Sequence, residues 1–535
     1  MPNLKVIGVP AGLVVIAVGV LVAQQPAAYD LLIRNGRIVD GTGSPWFRAD
    51  LAVRGDTIVR IAPQIAGPAR RTIDVHGQIV SPGFIDIHTH ARRGIFEVPT
   101  ADNYVRQGVT TLIEGPDGSS PIPLKPFLEK VAATRITPNF GTFVGQGSVR
   151  DAIIGLGNRK ADAGEVERMR ALVRQGMEDG AFGLSSGLFY VPGTFTPTSE
   201  VIELARVAGQ MGGIHISHMR EETSKVVESV LETIEIGEKG LLPTQVTHHK
   251  VIGKANWGKS VETLRLIDAA RARGVDATLD VYPYTASATS ISSALLPSWV
   301  LEGGAQKTLE RLRDAGMRAD SRAETERIIQ EERGGGDPQN VQLSSCEWDH
   351  SLDGKRLGDV TRARGLQPTI RNAAETVLWI VERGGCGGIF HAIGEDDLQR
   401  ILRHPASMIG SDGEVTVFGR ANPHPRSYGT FVRVLGRYVR ELKVLSLEEA
   451  IRKMSAFPAA RIGLADRGVL REGLKADIAV IDLESVGDKA TFEQPHQYAD
   501  GVSLVVVNGE VAFEGRAMTS ARPGRVLHGP SWRVP

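Results

Sequence analysis

The sequence predicts an α/β protein: a (β/α)8 TIM-like barrel, a small β-sandwich domain built from both chain ends, and a small insertion after strand 7. Three observations predict it. Short apolar strands alternate with helical segments through the middle of the 535-residue chain. Alternating apolar and polar runs broken by tight turns occur near the two ends. A charged helical run followed by a glycine-rich turn interrupts the alternation late in the chain.

Taken in order, Lys5 precedes residues 6–23, VIGVPAGLVVIAVGVLVA, which carry no charge. Residues 1–23 are expected to be a signal peptide, with Leu21-x-Ala23 as a small-residue cleavage site and an exported, periplasmic or secreted, product. An uncleaved membrane anchor is the alternative. YDLLIRNGRIVDGTG, DLAVRGDTIVRIAP and TIDVHGQIVSPG follow, with Asn-Gly, Asp-Gly, Gly-Asp and His-Gly turns. A similar texture returns in ADIAVIDLE and GVSLVVVNGEVAFEGRA. Residues 27–82 plus 464–535 are therefore expected to form one composite β-sandwich.

Between them, residues 83–463 form the expected barrel. Its candidate strands are FIDIHTH, TTLIEG, NFGTFVG, AFGLSSG, GGIHISH, PTQVTHH, DATLDVYPY and SMIGSD. In EVERMRALVRQGM the residues Val166, Met169, Leu172, Val173 and Met177 fall at helical spacing. Thr198 or Ser199 is an expected N-cap for EVIELARVAGQM, which Gly212 and Gly213 end. Residues 287–345, with KTLERLRDAGMRADSRAETERIIQEER and then GGGDPQN, read as the insertion within the barrel.

Bulk properties bound the function. Lys+Arg and Asp+Glu both total 62, so charge points to no nucleic acid or anionic surface as partner. Cys346 and Cys386 are the two cysteines, which leaves no disulfide scaffold and no cysteine-based zinc cluster. A membrane enters only through an uncleaved N-terminal segment. The expected partner is a small-molecule substrate.

Barrel active sites gather at the C-terminal strand ends. Here strand 1 ends in His88 and His90, strand 2 in Glu114 and Asp117, strand 5 in His218, strand 6 in His248 and His249, and strand 8 in Asp412. Imidazole and carboxylate at one rim suit zinc or a similar divalent ion. Strand alternation places His248 and Lys250 on one face and His249 on the other, so His248 reads as the ligand and Lys250 as a nearby cation. His76, His215, His350, His391, His404, His424, His496 and His528 read as packing or loop histidines, with His391 the one most open to another role.

The series SPGFIDIHTH, QGVTTLIEGPDGSS, GAFGLSSGLFYVPG, GGIHISHMREE, VTHHK, DVYPYTASAT, MIGSDG, HPRSYGTFVRVLGRYVRE and ADIAVID resembles the D-aminoacylase, or N-acyl-D-amino-acid deacylase, group of the amidohydrolase superfamily. The likeness runs from about Tyr29 to Leu527. It implies a metal-bearing barrel beside a sandwich, holding one or two Zn²⁺ ions per chain or another divalent metal. It places the metal ligands on His88, His90, Asp117, His218, His248 and Asp412, with Asp412 as catalytic acid and base. Anchors for the substrate carboxylate fall on Lys250, Tyr284 and Arg426, with Ser290 a weaker fourth. Where the best-known members carry a ligating cysteine, this chain has Asp117, and Glu114 is the alternative ligand. AFGLSSG lacks the modified lysine of the hydantoinase and dihydroorotase branches.

The expected reaction is hydrolysis of an N-acyl-D-amino acid to a carboxylate and a free D-amino acid. The alternatives are a hydrolase of the same superfamily acting on a cyclic amide, dipeptide or lactone, and a non-catalytic scaffold that kept the barrel.

Overall fold

A computed structural model describes Pro2 and residues 28–533. The expected leader lies outside the described residues. Among them, no helix is long and apolar enough to cross a membrane.

Eight parallel strands build the barrel: β1 (Phe84–Asp86), β2 (Val109–Glu114), β3 (Asn139–Thr142, resumed at Val144–Gly145), β4 (Gly183–Gly187), β5 (Ile214–His218), β6 (Thr244–Val246), β7 (Ala277–Val281) and β8 (Ser407–Ile409). These are the eight runs expected from sequence. β1–β3 pair in one ladder and β3–β8 in another, the break falling at Phe143. A parallel bridge between Thr89 and Gly413, just beyond β1 and β8, links the first and last strands. Every strand residue of β2, β4, β5 and β7 is buried, as expected for strands covered on both faces.

The covering helices follow the apolar spacing. Helix 163–178 buries Met169, Val173 and Met177, and its start is a capping box: Glu165 N–H donates to Asp162 while the Glu165 carboxylate accepts from Asp162 N–H. Helix 198–210 begins one or two residues earlier than an N-cap at Thr198 or Ser199 predicts. Pro197 is its N-cap, and the Thr198 hydroxyl instead donates to Glu232 at 2.7 Å.

Strands from both chain ends share one nine-stranded sheet, which forks at strand 29–38. Strand 79–82 joins the halves by pairing with 29–38 on one side and 478–481 on the other. Leu31, Ile33 and Leu51 from the first half pack with Ile478, Val480 and Leu504 from the second. The final stretch does not follow the expected 464–535 grouping. Phe140 N–H donates to Arg525 O at 2.9 Å, Leu527 N–H to Phe140 O at 2.7 Å, and Gly529 N–H to Gly180 O at 2.9 Å, so residues 525–529 brace the barrel.

The inserted unit also extends past the expected 287–345. Strand 387–390 is central in a three-stranded antiparallel sheet, pairing with 287–290 and 341–345. Helix 370–381 belongs to it because Ala373, Val377, Leu378 and Ile380 share a core with Ile291, Leu312 and Ile329. Cys346 and Cys386 form a disulfide inside this core, so the two cysteines staple the insertion.

Candidate metal centre and active site

The C-terminal rim of the barrel brings the sequence-selected residues together. Among the described residues, two groups have donor atoms close enough to share an ion: His88, His90, Asp117 and Asp412, and Asp117, His218 and His248. Asp117 is common to both. Its Oδ1 lies 3.5 Å from His88 Nε2, 3.6 Å from His218 Nδ1 and 3.4 Å from His248 Nε2, and its Oδ2 lies 3.3 Å from His90 Nε2. Glu114, the alternative ligand, points elsewhere: its carboxylate accepts from Arg92 N–H at 2.9 Å.

Local backbone sets these positions. β1, β2, β6 and β8 all end before their functional residue, which then sits in a turn. Asp117, His248 and Asp412 adopt φ of 57°, 34° and 54°, a left-handed region that is costly for non-glycine residues. Hydrogen bonds hold them there. Asp412 N–H donates to His88 O at 2.8 Å, and His248 N–H to the buried Asp280 carboxylate at 2.8 Å. At Asp117 the support is β4: Ser185 Oγ donates to Gly115 O at 2.6 Å and accepts from Gly118 N–H at 3.2 Å. Gly187 closes the contact, because a Cβ there would meet Asp117 O at 2.0 Å.

The pairwise sorting of histidines follows the alternation argument although β6 stops at Val246. His248 faces the cluster. His249 points away, its Nε2 2.8 Å from Thr263 Oγ1. His391 directly follows strand 387–390 of the inserted unit, 3.3 Å from Gln342 Oε1, and belongs to neither ligand group.

Charge state follows from packing. Burial works to raise the Asp117 carboxyl, but His88, His248 and His218 together hold it well below the usual range. Burial opposes ionisation of Asp412 too, and Arg426 at 2.7 Å with His90 at 3.0 Å overcomes it. Burial and the adjacent His248 push His218 down to about 4, leaving the neutral imidazole that a metal requires.

The donor set fits a divalent ion. His88 Nε2 and Asp117 Oδ1, which face each other at 3.5 Å, are both buried without a hydrogen-bond partner, although buried polar atoms ordinarily have one. Three imidazole nitrogens facing one carboxylate oxygen at 3.4–3.6 Å leave room for cations between them.

Beside this cluster opens a cavity of about 740 Å³, lined by His90, Asp117, Asp412, Arg426, Ser290 and Tyr190, whose ring packs on His218. Ser290 caps the short helix 291–295, accepting from Ser293 N–H at 3.1 Å. Lys250 lies deeper, its Nζ 2.5 Å from Glu222 and 2.7 Å from His248 Nδ1. Tyr284 does not reach the site. Its ring packs on His424 and Phe492, and its hydroxyl meets Pro425 O at 3.4 Å. Tyr282, two residues earlier on the opposite side of Pro283, takes that place, with Lys250 Nζ 5.6 Å and Arg426 5.0 Å from its ring centre and its hydroxyl buried without a partner. Sequence reading also missed Asp280, Glu222 and Arg333. Asp280 alone left a signal, as a charge inside an apolar strand.

Comparison with known proteins agrees with this geometry. The amidohydrolase family pattern matches residues 71–513. A D-aminoacylase of Alcaligenes xylosoxydans xylosoxydans is 36% identical over 94% of this chain and 98% of its own. An N-acyl-D-glutamate deacylase from the same source is 36% identical over 93% and 96%. A solved D-aminoacylase described as having a binuclear metal centre superposes with a TM-score of 0.80 at 34% identity, covering 94% of this chain and all of that one. An N-acyl-D-glutamate deacylase from Bordetella bronchiseptica, complexed with zinc and a phosphonate inhibitor, gives the same TM-score, identity and coverage. An L-hydantoinase at 18% identity and TM-score 0.56 shares the fold. With the matched pattern spanning most of the chain and relatives above 30% identity along nearly its whole length, this chain belongs to the amidohydrolase family, in its D-aminoacylase group.

Proposed function

We propose that this protein hydrolyses the amide bond of N-acyl-D-amino acids, releasing a carboxylate and a free D-amino acid. The observation that carries the reading is Asp117 shared between two ligand groups, with the Arg426-paired Asp412 on the wall of the adjoining cavity. His88, His90, Asp117 and Asp412 would hold one ion and Asp117, His218 and His248 a second; the reading takes zinc as the metal, as in the zinc complex of the Bordetella relative. When bound, a divalent ion polarises a carbonyl and lowers the pKa of water from about 15.7 to about 7.

The chain's own residues do the rest. Asp412, kept ionised by Arg426, accepts a proton from the attacking water and returns it to the leaving nitrogen. Arg426 retains donors beyond the one spent on Asp412 and lines the cavity, so it can pair with the substrate α-carboxylate. Lys250 adds positive charge behind it, and Tyr282, whose ring lies beside both cations, brings a buried, unpartnered hydroxyl. These groups fix the acyl carbonyl relative to Asp412, and orientation itself lowers the barrier.

Chiral assays with paired N-acetyl-D and N-acetyl-L amino acids test the assignment. D-selective hydrolysis is expected. No D-selective turnover across a broad side-chain panel would overturn it, and turnover of cyclic amides instead would move the protein to a neighbouring branch.

The reading includes export. The uncharged stretch 6–23 supports it, and the Cys346–Cys386 disulfide suits an oxidising compartment. N-terminal sequencing of protein recovered from the periplasm or medium is expected to begin after Ala23. An intact Met1 on cytosolic protein would refute export.

A further inference from the structure

We infer that Glu222, which follows His218 by four residues, is the positioning residue for His248 of one ligand group, and that Arg333 of the inserted unit sets how much charge Lys250 offers the substrate. The second half rests on the reading of the substrate as an N-acyl amino acid. The first half does not.

The ligating atoms of that group, His218 Nδ1 and His248 Nε2, face each other at 2.8 Å beside Asp117. Of their outer nitrogens, His248 Nδ1 is 3.3 Å from Glu222 Oε1 and 2.7 Å from Lys250 Nζ, which Glu222 holds at 2.5 Å, while His218 Nε2 lies 3.9 Å from Oε2, beyond hydrogen-bond range. An imidazole that ligates through one nitrogen carries its proton on the other, and a carboxylate receiving that proton fixes the ring and strengthens it as a donor. Glu222 is fully buried. Its Oε1 accepts from Lys250 Nζ at 2.5 Å.

Arg333 reaches the same carboxylate from the opposite side. Its guanidinium lies 3.3 Å from Glu222 Oε2 and 4.5 Å above the Phe189 ring, which in turn stacks on His218 at 5.6 Å. One negative charge thus serves two buried cations, Lys250 at 2.5 Å and Arg333. The trio carries one net positive charge, and Lys250 is the member beside Tyr282 and the metal cluster. Remove Arg333, and Glu222 neutralises Lys250 alone. A substrate carboxylate then meets less charge.

Zinc affinity, measured on purified protein by competition with a chromogenic chelator, tests the first half without any substrate. Glu222→Gln is expected to weaken zinc binding about 10–100-fold. Glu222→Asp, which keeps the charge, is expected to recover part of it and serves as the probe should the glutamine variant fold poorly. Affinity in either folded variant within about two-fold of wild type would overturn the positioning role. Kinetics on the best N-acyl-D-amino acid test the second half. Arg333→Gln is expected to raise KM about five-fold or more, by a larger factor than it lowers kcat. A fall in kcat at unchanged KM would overturn it. Absence of any N-acyl-D-amino-acid turnover in wild type would sink the substrate reading and this second half with it, while the zinc result still decides the role of Glu222.

Discussion

Asp412 stands between His90 and Arg426, one on each carboxylate oxygen, in a left-handed backbone turn. That arrangement keeps the group ionised and gives it little freedom to rotate, which suits a proton carrier that must meet water and a leaving nitrogen in turn. Asp412→Asn preserves the shape and removes the basicity. Its kcat is expected to fall about 10²–10⁴-fold, the usual worth of a positioned acid or base. Zinc should remain on the group formed by Asp117, His218 and His248, measured by metal analysis of the same sample. Near-normal turnover in a zinc-loaded variant would remove Asp412 from proton transfer. Tyr282 argues at the same scale for how far a sequence can be read. The YPY segment offered two tyrosines, and which one faces the site depends on a turn at Pro283 that no spacing rule fixes.

At the scale of elements, strand ends are the working parts and their neighbours are the tooling. β4 contributes no ligand, yet Gly187 and Ser185 hold the turn that presents Asp117. Gly187→Ala places a methyl against Asp117 O, an overpacking expected to cost about 1–3 kcal/mol. Because Asp117 belongs to both ligand groups, bound zinc per chain should drop along with denaturant stability. Full metal content in a folded Gly187→Ala protein would show that the turn tolerates displacement. The inserted unit carries its own staple. Replacing Cys346 and Cys386, 40 residues apart, with serine should destabilise it by about 2–4 kcal/mol. Limited proteolysis within residues 287–390 reads this out, and equal resistance in the double variant would contradict it. The eight barrel strands were legible because each is a short buried run between turns. The limits of the insertion were not, because its last strand, 387–390, pairs with partners about 100 and 45 residues earlier, and long-range pairing leaves no local mark. Glu222 and Arg333 were hidden for the same reason: 111 residues separate two charges that meet only in three dimensions.

The whole molecule concentrates charge in its least hydrated place. His88, Asp117, His218, Glu222, His248, Lys250, Asp412 and Arg426 are all buried or nearly so at one end of the barrel. Buried ionic clusters are weak sources of stability, since desolvation offsets much of their attraction. The orphaned His88 Nε2 and Asp117 Oδ1 make this cluster more costly still without a cation. Metal should therefore stabilise the fold as well as enable turnover. A ligand that binds only the folded chain adds about 2.7 kcal/mol at 100 times its dissociation constant. Dialysis against chelator is expected to abolish turnover and lower the thermal midpoint by several degrees, and added zinc should restore both. The double variant His88→Ala and His248→Ala removes a ligand from each group, so its midpoint should no longer respond to zinc. If wild-type midpoints with and without zinc coincide, the rim cluster is satisfied by its own hydrogen bonds and the two-group metal centre is wrong. If the double variant still responds, the stabilising ion sits elsewhere on the protein, and the assignment of these strand ends falls with it.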